Sequence, residues 1–328
     1  MGTRWVSGRR LLLVVGVYRS GTSLLAGILG QLGLHIPQPE VEPDETNPRG
    51  FSEPRWVVDF HKRLLDDRFV TTHDARPAAL ELTRALSADD EVYTELRDWL
   101  RPQLSTAGEL VVKDPRNVWF LPLWTRCAAD LGVETSFATT LRHPAETLIS
   151  ARRAYGEWQT DASRAAAWVN LMLETERATR GAGRAFVRYE DLLADWPTQV
   201  RRMGERLELP ALAEADRERH PGIDEFVDPS LHRNRERWDG LDVPAALREL
   251  AEHVWTLMQS LSGPEAEADT ARFDAARAGY DELYADAERI AQSSIVSARA
   301  RRPPPPRPPL TLRRIAGLTL RKVRGPRA

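Results

Sequence analysis

Cysteine is almost missing from this chain, with Cys127 alone among 328 residues. A single thiol excludes an intramolecular disulfide and with it the small secreted disulfide scaffold, so the expected setting is reducing and cytoplasmic. Long apolar runs are missing too. The run that follows Arg9-Arg10 imitates a signal peptide, but Arg19 interrupts it after eight residues, well short of the roughly 18–20 needed to cross a bilayer. It reads as a core strand instead. Nor is there an excess of one charge: 46 Lys and Arg face 48 Asp and Glu, a formal net charge of -2. That balance argues against a general nucleic-acid binder. Internal repeats are absent, and the length suits one large α/β domain with helical insertions and an extension.

What is present begins at residues 11–30, LLLVVGVYRSGTSLLAGILG. Leu11 to Val17 is a short apolar, β-branched run, as expected of a strand covered on both faces. Gly16 and Gly21 bracket the turn after it, where the amides of Ser20, Gly21, Thr22 and Ser23 can face an anion at the start of a helix. The nucleoside-triphosphatase loop GxxxxGK[ST] has lysine after its second glycine; here GVYRSG is followed by Thr22 and Ser23, and the cation has moved to Arg19. Arginine suits bidentate contact with phosphate or sulfonate oxygens. No convincing Walker B strand ends in an aspartate to complete a magnesium site, so no metal is expected. A glycine turn between a core strand and a core helix would look the same, and the loop needs a second feature beside it.

Residues 137–153, FATTLRHPAETLISARR, supply one. Phe137 to Leu141 is strand-like, and Pro144 suits a first helical turn. Arg142 then stands at the strand's end with Ser150 eight residues on, about two helical turns away, so both can meet one anion. Lys113 follows the β-like Glu109 to Val112 and would emerge at a strand's C-terminal end, where open α/β sheets bind ligands. Glu53 lies in the turn-rich Asn47 to Glu53, ahead of the helical pattern Trp56, Phe60, Leu64, and is the candidate general base, with Glu40 and His61 as alternatives. Each residue also has an ordinary reading, as a solvated charge or a helix N-terminal carboxylate.

With these motifs the chain resembles the sulfotransferase family that uses 3′-phosphoadenosine-5′-phosphosulfate (PAPS), in particular its bacterial branch. NPRGFSEP at 47–54, VVKDPRNVWFLPLW at 111–124 and VRYEDLLADWP at 187–197 carry the same likeness, which spans roughly residues 11–260. The resemblance implies that residues 18–23 bind the 5′-phosphosulfate, with Arg19 where the family usually has lysine, and that Arg142 and Ser150 bind the 3′-phosphate. It places Lys113 beside the donor and Glu53 at the position of the base in several carbohydrate and protein sulfotransferases. It also implies a late basic loop closing over the nucleotide, where Arg233 and Arg235 stand. The expected acceptor is a hydroxyl or amine, on a carbohydrate or glycolipid; other readings are a P-loop ATP-dependent kinase and a catalytically silent nucleotide-binding scaffold.

The expected fold is an α/β domain with a P-loop-type central parallel sheet flanked by helices over 8–262, followed by a helical extension over 263–300 and a basic proline-rich tail over 301–328. In the extension, Phe273, Ala276, Tyr280, Leu283, Ala287 and Ile290 recur at three and four residues, a seam that could pair in a homodimer or pack back on the domain. The tail's composition predicts disorder, with peripheral contact to an anionic membrane as the alternative.

Overall fold

Leu11 to Val15 form the core of a strand buried on both faces. In the computed structural model, which describes residues 9–156, 158–228, 238–263 and 269–300, strand β1 (Arg10–Val15) is joined by β2 (Glu109–Lys113), β3 (Glu134–Leu141) and β4 (Gly183–Arg188) in a sheet of order β2-β1-β3-β4. Every pairing is parallel, with Leu13 opposite Val112 on one side and Phe137 on the other. Side chains alternate along a strand. Leu11, Leu13 and Val15 therefore enter one apolar cluster with Leu110, Val112, Phe137 and Phe186, whereas Leu12 and Val14 enter a second with Val111, Ala138, Ala185 and Val187. Covering both faces is what makes these strands read as continuous apolar runs.

The second cluster is closed by α1 (Thr22–Gln31), α8 (Tyr189–Ala194), α9 (Trp196–Leu207) and α10 (Pro221–Phe226). The first is closed by α2 (Arg55–Asp66), α3 (Pro77–Ser87), α4 (Asp90–Thr106), α5 (Asn117–Asp130), α6 (Pro144–Tyr155), α7 (Asp161–Ala178) and α11 (Ala245–Ser260). Local chemistry explains several starts. Asp89 caps α4 by accepting from the amides of Glu91 and Val92, and His143 caps α6 by accepting from Ala145 at 3.2 Å, with Pro144 in the first turn. Cys127 is a buried thiol of α5. Among the described residues no helix is long and apolar enough to cross a membrane.

Helix α12 (Thr270–Ala300) begins inside the compact unit that ends at Tyr284. Phe273, Ala276 and Tyr280 of the apolar seam are buried in the first cluster, Leu283 is partly buried against it, and Ile290 is exposed. Arg277 donates to the Asn170 side chain at 2.7 Å and its carbonyl at 2.6 Å, and the Tyr280 hydroxyl donates to the Ala75 carbonyl. A chain ending after residue 284 is accordingly expected to keep the unit's stability. One ending after residue 269 should lose on the order of 4 kcal/mol, since it uncovers the site of two aromatic rings. Equal urea midpoints for the two truncations would show that α12 contributes nothing. The tail 301–328, Arg233 and Arg235 lie outside the described residues.

Candidate active site

Parallel strands deliver their C-terminal ends to one edge of the sheet, where Lys113 closes β2, Arg142 directly follows β3 and the loop bearing Arg19 follows β1. The strand order brings the β1 loop next to the end of β3. After β1 the backbone turns sharply: Gly16, Arg19 and Gly21 have φ of 145°, 60° and 102°. Gly21 is obligatory for a second reason, because a Cβ there would lie 2.4 Å from the Tyr189 ring. The Ser20 hydroxyl closes the loop, donating to the Val17 carbonyl at 2.6 Å and meeting Thr140 Oγ1 at 2.9 Å. No side chain caps the N-terminus of α1, so its first-turn amides and the helix dipole are directed at whatever binds the loop.

Arg19, Arg142 and Ser150 come together here. Arg19 Nε donates to Ser150 Oγ at 3.1 Å and Arg19 Nη1 to the Thr46 carbonyl at 3.3 Å, while Arg142 Nη1 donates to the Arg19 carbonyl at 3.1 Å. Arg142 also donates through Nε to Glu146 at 2.9 Å, and its guanidinium lies 4.5 Å from the Tyr189 ring centre. Reading the sequence for charge and spacing missed Glu146 and Tyr189. The signal for Tyr189 was positional: it directly follows β4, at the same edge as the other three strand ends.

Lys113 and Glu53 form the second half of the site. Lys113 closes β2 and is only 2% exposed; its Nζ donates to Glu53 Oε1 at 2.5 Å and to Ser23 Oγ at 3.0 Å. One ammonium thus joins the first turn of α1 to the carboxylate singled out as a base. Burial pushes the Glu53 carboxyl above the usual range, against the pull of Lys113. The segment bearing Glu53 is held by the Val41 amide, which donates to the Glu53 carbonyl at 2.8 Å, and by Arg49, which donates to the Phe226 carbonyl and to Asp228 at 3.2 Å. Of the two alternatives for a base, Glu40 accepts from Gln38 at 2.7 Å. His61 is fully buried with both nitrogens engaged, so it has no lone pair for a substrate.

Those His61 bonds belong to a chain behind the site. The Trp124 indole donates to His61 Nε2 at 3.0 Å, His61 Nδ1 donates to Asp114 Oδ2 at 3.0 Å, and Asp114 Oδ1 accepts from the Arg116 amide at 2.9 Å and Nη1 at 2.8 Å. An indole can only donate, which fixes the neutral Nδ1–H tautomer; burial likewise lowers the affinity of His61 for a second proton. Burial alone would raise the Asp114 carboxyl, but the Arg116 charge and then the His61 hydrogen bond hold it well below the carboxylate range. Asp114 follows β2, where a triphosphatase carries its magnesium aspartate. Here both carboxylate oxygens are already committed to protein donors.

The sequence pattern of the sulfotransferase family matches residues 12–214, and the chain belongs to that family. No curated protein matches it. Among solved structures it is similar to the sulfotransferase domain of the Synechococcus olefin synthase, at 18% identity over 78% of this chain and 98% of that one, with a TM-score of 0.43. It is also similar to a sulfotransferase from Mycobacterium tuberculosis, at 20% identity over 68% of this chain and 77% of that one, with a TM-score of 0.32.

Proposed function

We propose that this sulfotransferase takes its sulfuryl group from PAPS and delivers it to a hydroxyl or amine acceptor, on a carbohydrate or glycolipid. The observation that carries the reading is Lys113, whose ammonium touches both Ser23 of the phosphate-facing turn and Glu53. Sulfuryl transfer needs in-line geometry, cations on the transferring and bridging oxygens, and a base for the nucleophile. The residues present suit such a donor. Uncapped amides at the start of α1, with Arg19 and Lys113, would hold the phosphosulfate; Arg142 and Ser150 would hold the 3′-phosphate. PAPS supplies the activated sulfuryl group. As the acceptor oxygen or nitrogen bonds to sulfur, the bond from sulfur to the bridging phosphate oxygen breaks, its electron pair leaves with adenosine 3′,5′-bisphosphate, and the acceptor proton passes to Glu53. Its raised proton affinity favours that role, because a base works best near the operating pH.

Calorimetry tests the donor assignment. Adenosine 3′,5′-bisphosphate should bind without magnesium and much more tightly than ATP. Arg142→Ala should weaken nucleotides bearing a 3′-phosphate by roughly 10–100-fold, the scale of a lost charge-assisted hydrogen bond, and leave those lacking it unchanged. Tight magnesium-dependent ATP binding with none of the bisphosphate would instead support a kinase, and equal losses for both nucleotide classes would remove Arg142 from the 3′-phosphate.

A further inference from the structure

An aromatic ring stands partly open on the helix that carries Ser150, the partner of Arg19. Tyr155, the last residue of α6, is 41% exposed. Its hydroxyl lies within electrostatic reach of Arg19, Glu53 and Arg116. The Tyr155 ring centre is 5.9 Å from that of Tyr18, which in turn packs on His73 with centres 3.4 Å apart. This wall is fixed from behind. The Arg164 charge acts on Tyr18, and Gln159 Nε2 donates to the His73 carbonyl at 3.2 Å. His73 Nε2 is buried and without a protein partner.

Apart from Arg19, which donates to the neutral oxygens of Ser150 and Thr46 and is assigned above to the phosphosulfate, the charges nearby are spent on one another. Lys113 pairs with Glu53 at 2.5 Å, Arg116 with Asp114 at 2.8 Å and Arg164 with Asp161 at 3.7 Å. An anionic acceptor would have to break one of these pairs, whereas a neutral ring needs only an apolar face to lie on. Resting on the sulfotransferase reading above, we propose that Tyr155 is an acceptor-binding residue: it stacks against the flat face of an uncharged ring bearing a hydroxyl, a pyranose or a phenol, and so presents that hydroxyl to Glu53.

The test uses the full chain, labelled PAPS and three neutral alcohols: methyl β-glucopyranoside, 2-naphthol and acyclic 1-hexanol. At least one ring alcohol should be sulfated in clear preference to hexanol, and which of the two wins separates a sugar acceptor from an aryl one. Tyr155→Ala should raise KM for that ring about tenfold, the scale of a lost stacking face. Tyr155→Phe keeps the ring and should hold KM within about twofold, the lost hydroxyl acting on kcat. Binding of adenosine 3′,5′-bisphosphate by Tyr155→Ala reports that the variant is folded. Unchanged acceptor KM in Tyr155→Ala, hexanol accepted as well as the rings, or bisphosphate binding without transfer to either ring overturns this proposal alone. Failure of the wild-type protein to bind the bisphosphate overturns the donor reading and this inference with it.

Discussion

Glu53→Gln is expected to lower turnover by about 10²-fold or more while leaving the affinity for adenosine 3′,5′-bisphosphate nearly intact, since loss of a proton-transfer group acts on the chemical step. Glutamine keeps the shape and can still face Lys113, so the change removes the basic oxygen and little else. Lys113→Ala should cost at least as much. It deletes a cation from the transferring oxygens, and it leaves Glu53, 7% exposed, without the charge that opposes its burial. That variant's carboxyl should take up a proton more readily, moving the acid limb of the pH–rate profile upward. Single-turnover kinetics with an acceptor that the wild-type enzyme sulfates, beside calorimetry for the bisphosphate, separate the two steps. Wild-type turnover in Glu53→Gln would sink the base assignment and return attention to Glu40; an unchanged rate in Lys113→Ala would leave that lysine a structural counter-ion.

Glu53 is singled out in the sequence by its turn-rich segment and by likeness to the family, whereas Lys113 is legible for a physical reason. A strand buried on both faces must be apolar until it ends, so a lysine closing Glu109 to Val112 marks a strand terminus, and parallel strands share the edge where their termini lie. The same rule exposed Arg142 after Phe137 to Leu141. What it could not show was the partner of each charge. Spacing suggested that Arg142 and Ser150 meet one anion; in the structure both contact Arg19, Arg142 at its carbonyl and Ser150 at its side chain. His61 looked like a spare base because an isolated histidine in a helical pattern carries no sign of its neighbours. Only the fold places Trp124, 63 residues away, on its second nitrogen. The seam Phe273, Ala276, Tyr280 was visible as periodicity, but periodicity does not say which surface a helix chooses; the first turns of α12 chose their own core.

Asp114→Ala should be the most damaging single change to the fold, on the order of 3–5 kcal/mol, the usual cost of removing one member of a buried charged pair. It strands two donors at once, His61 Nδ1–H and Arg116. Asp114→Asn can still accept one of them and should lose less. The chain also sets a pH dependence. His61 takes its second proton below the ordinary histidine value of 6.5, so the unfolded chain binds that proton first, and stability present above pH 6.5 is lost as pH falls toward the folded value. Asp114, held lower still than its ordinary 3.8, adds a second loss confined to pH below about 4. Glu174 works the other way: burial raises its carboxyl to about 7, so its contribution is present in acid and lost as pH rises. The measurement must therefore be a difference. Urea midpoints of wild type and His61→Phe between pH 8 and 5 should converge toward pH 5, because the phenyl ring cannot titrate while the wild-type imidazole is forced to remain neutral among Trp124, Asp114 and Phe120, whose ring centre lies 4.8 Å away. A constant gap across that range would mean that His61 is not the group whose burial the fold opposes in acid. A gap that widens toward pH 5 would mean that it is protonated in the native protein, against the tautomer that the Trp124 indole imposes.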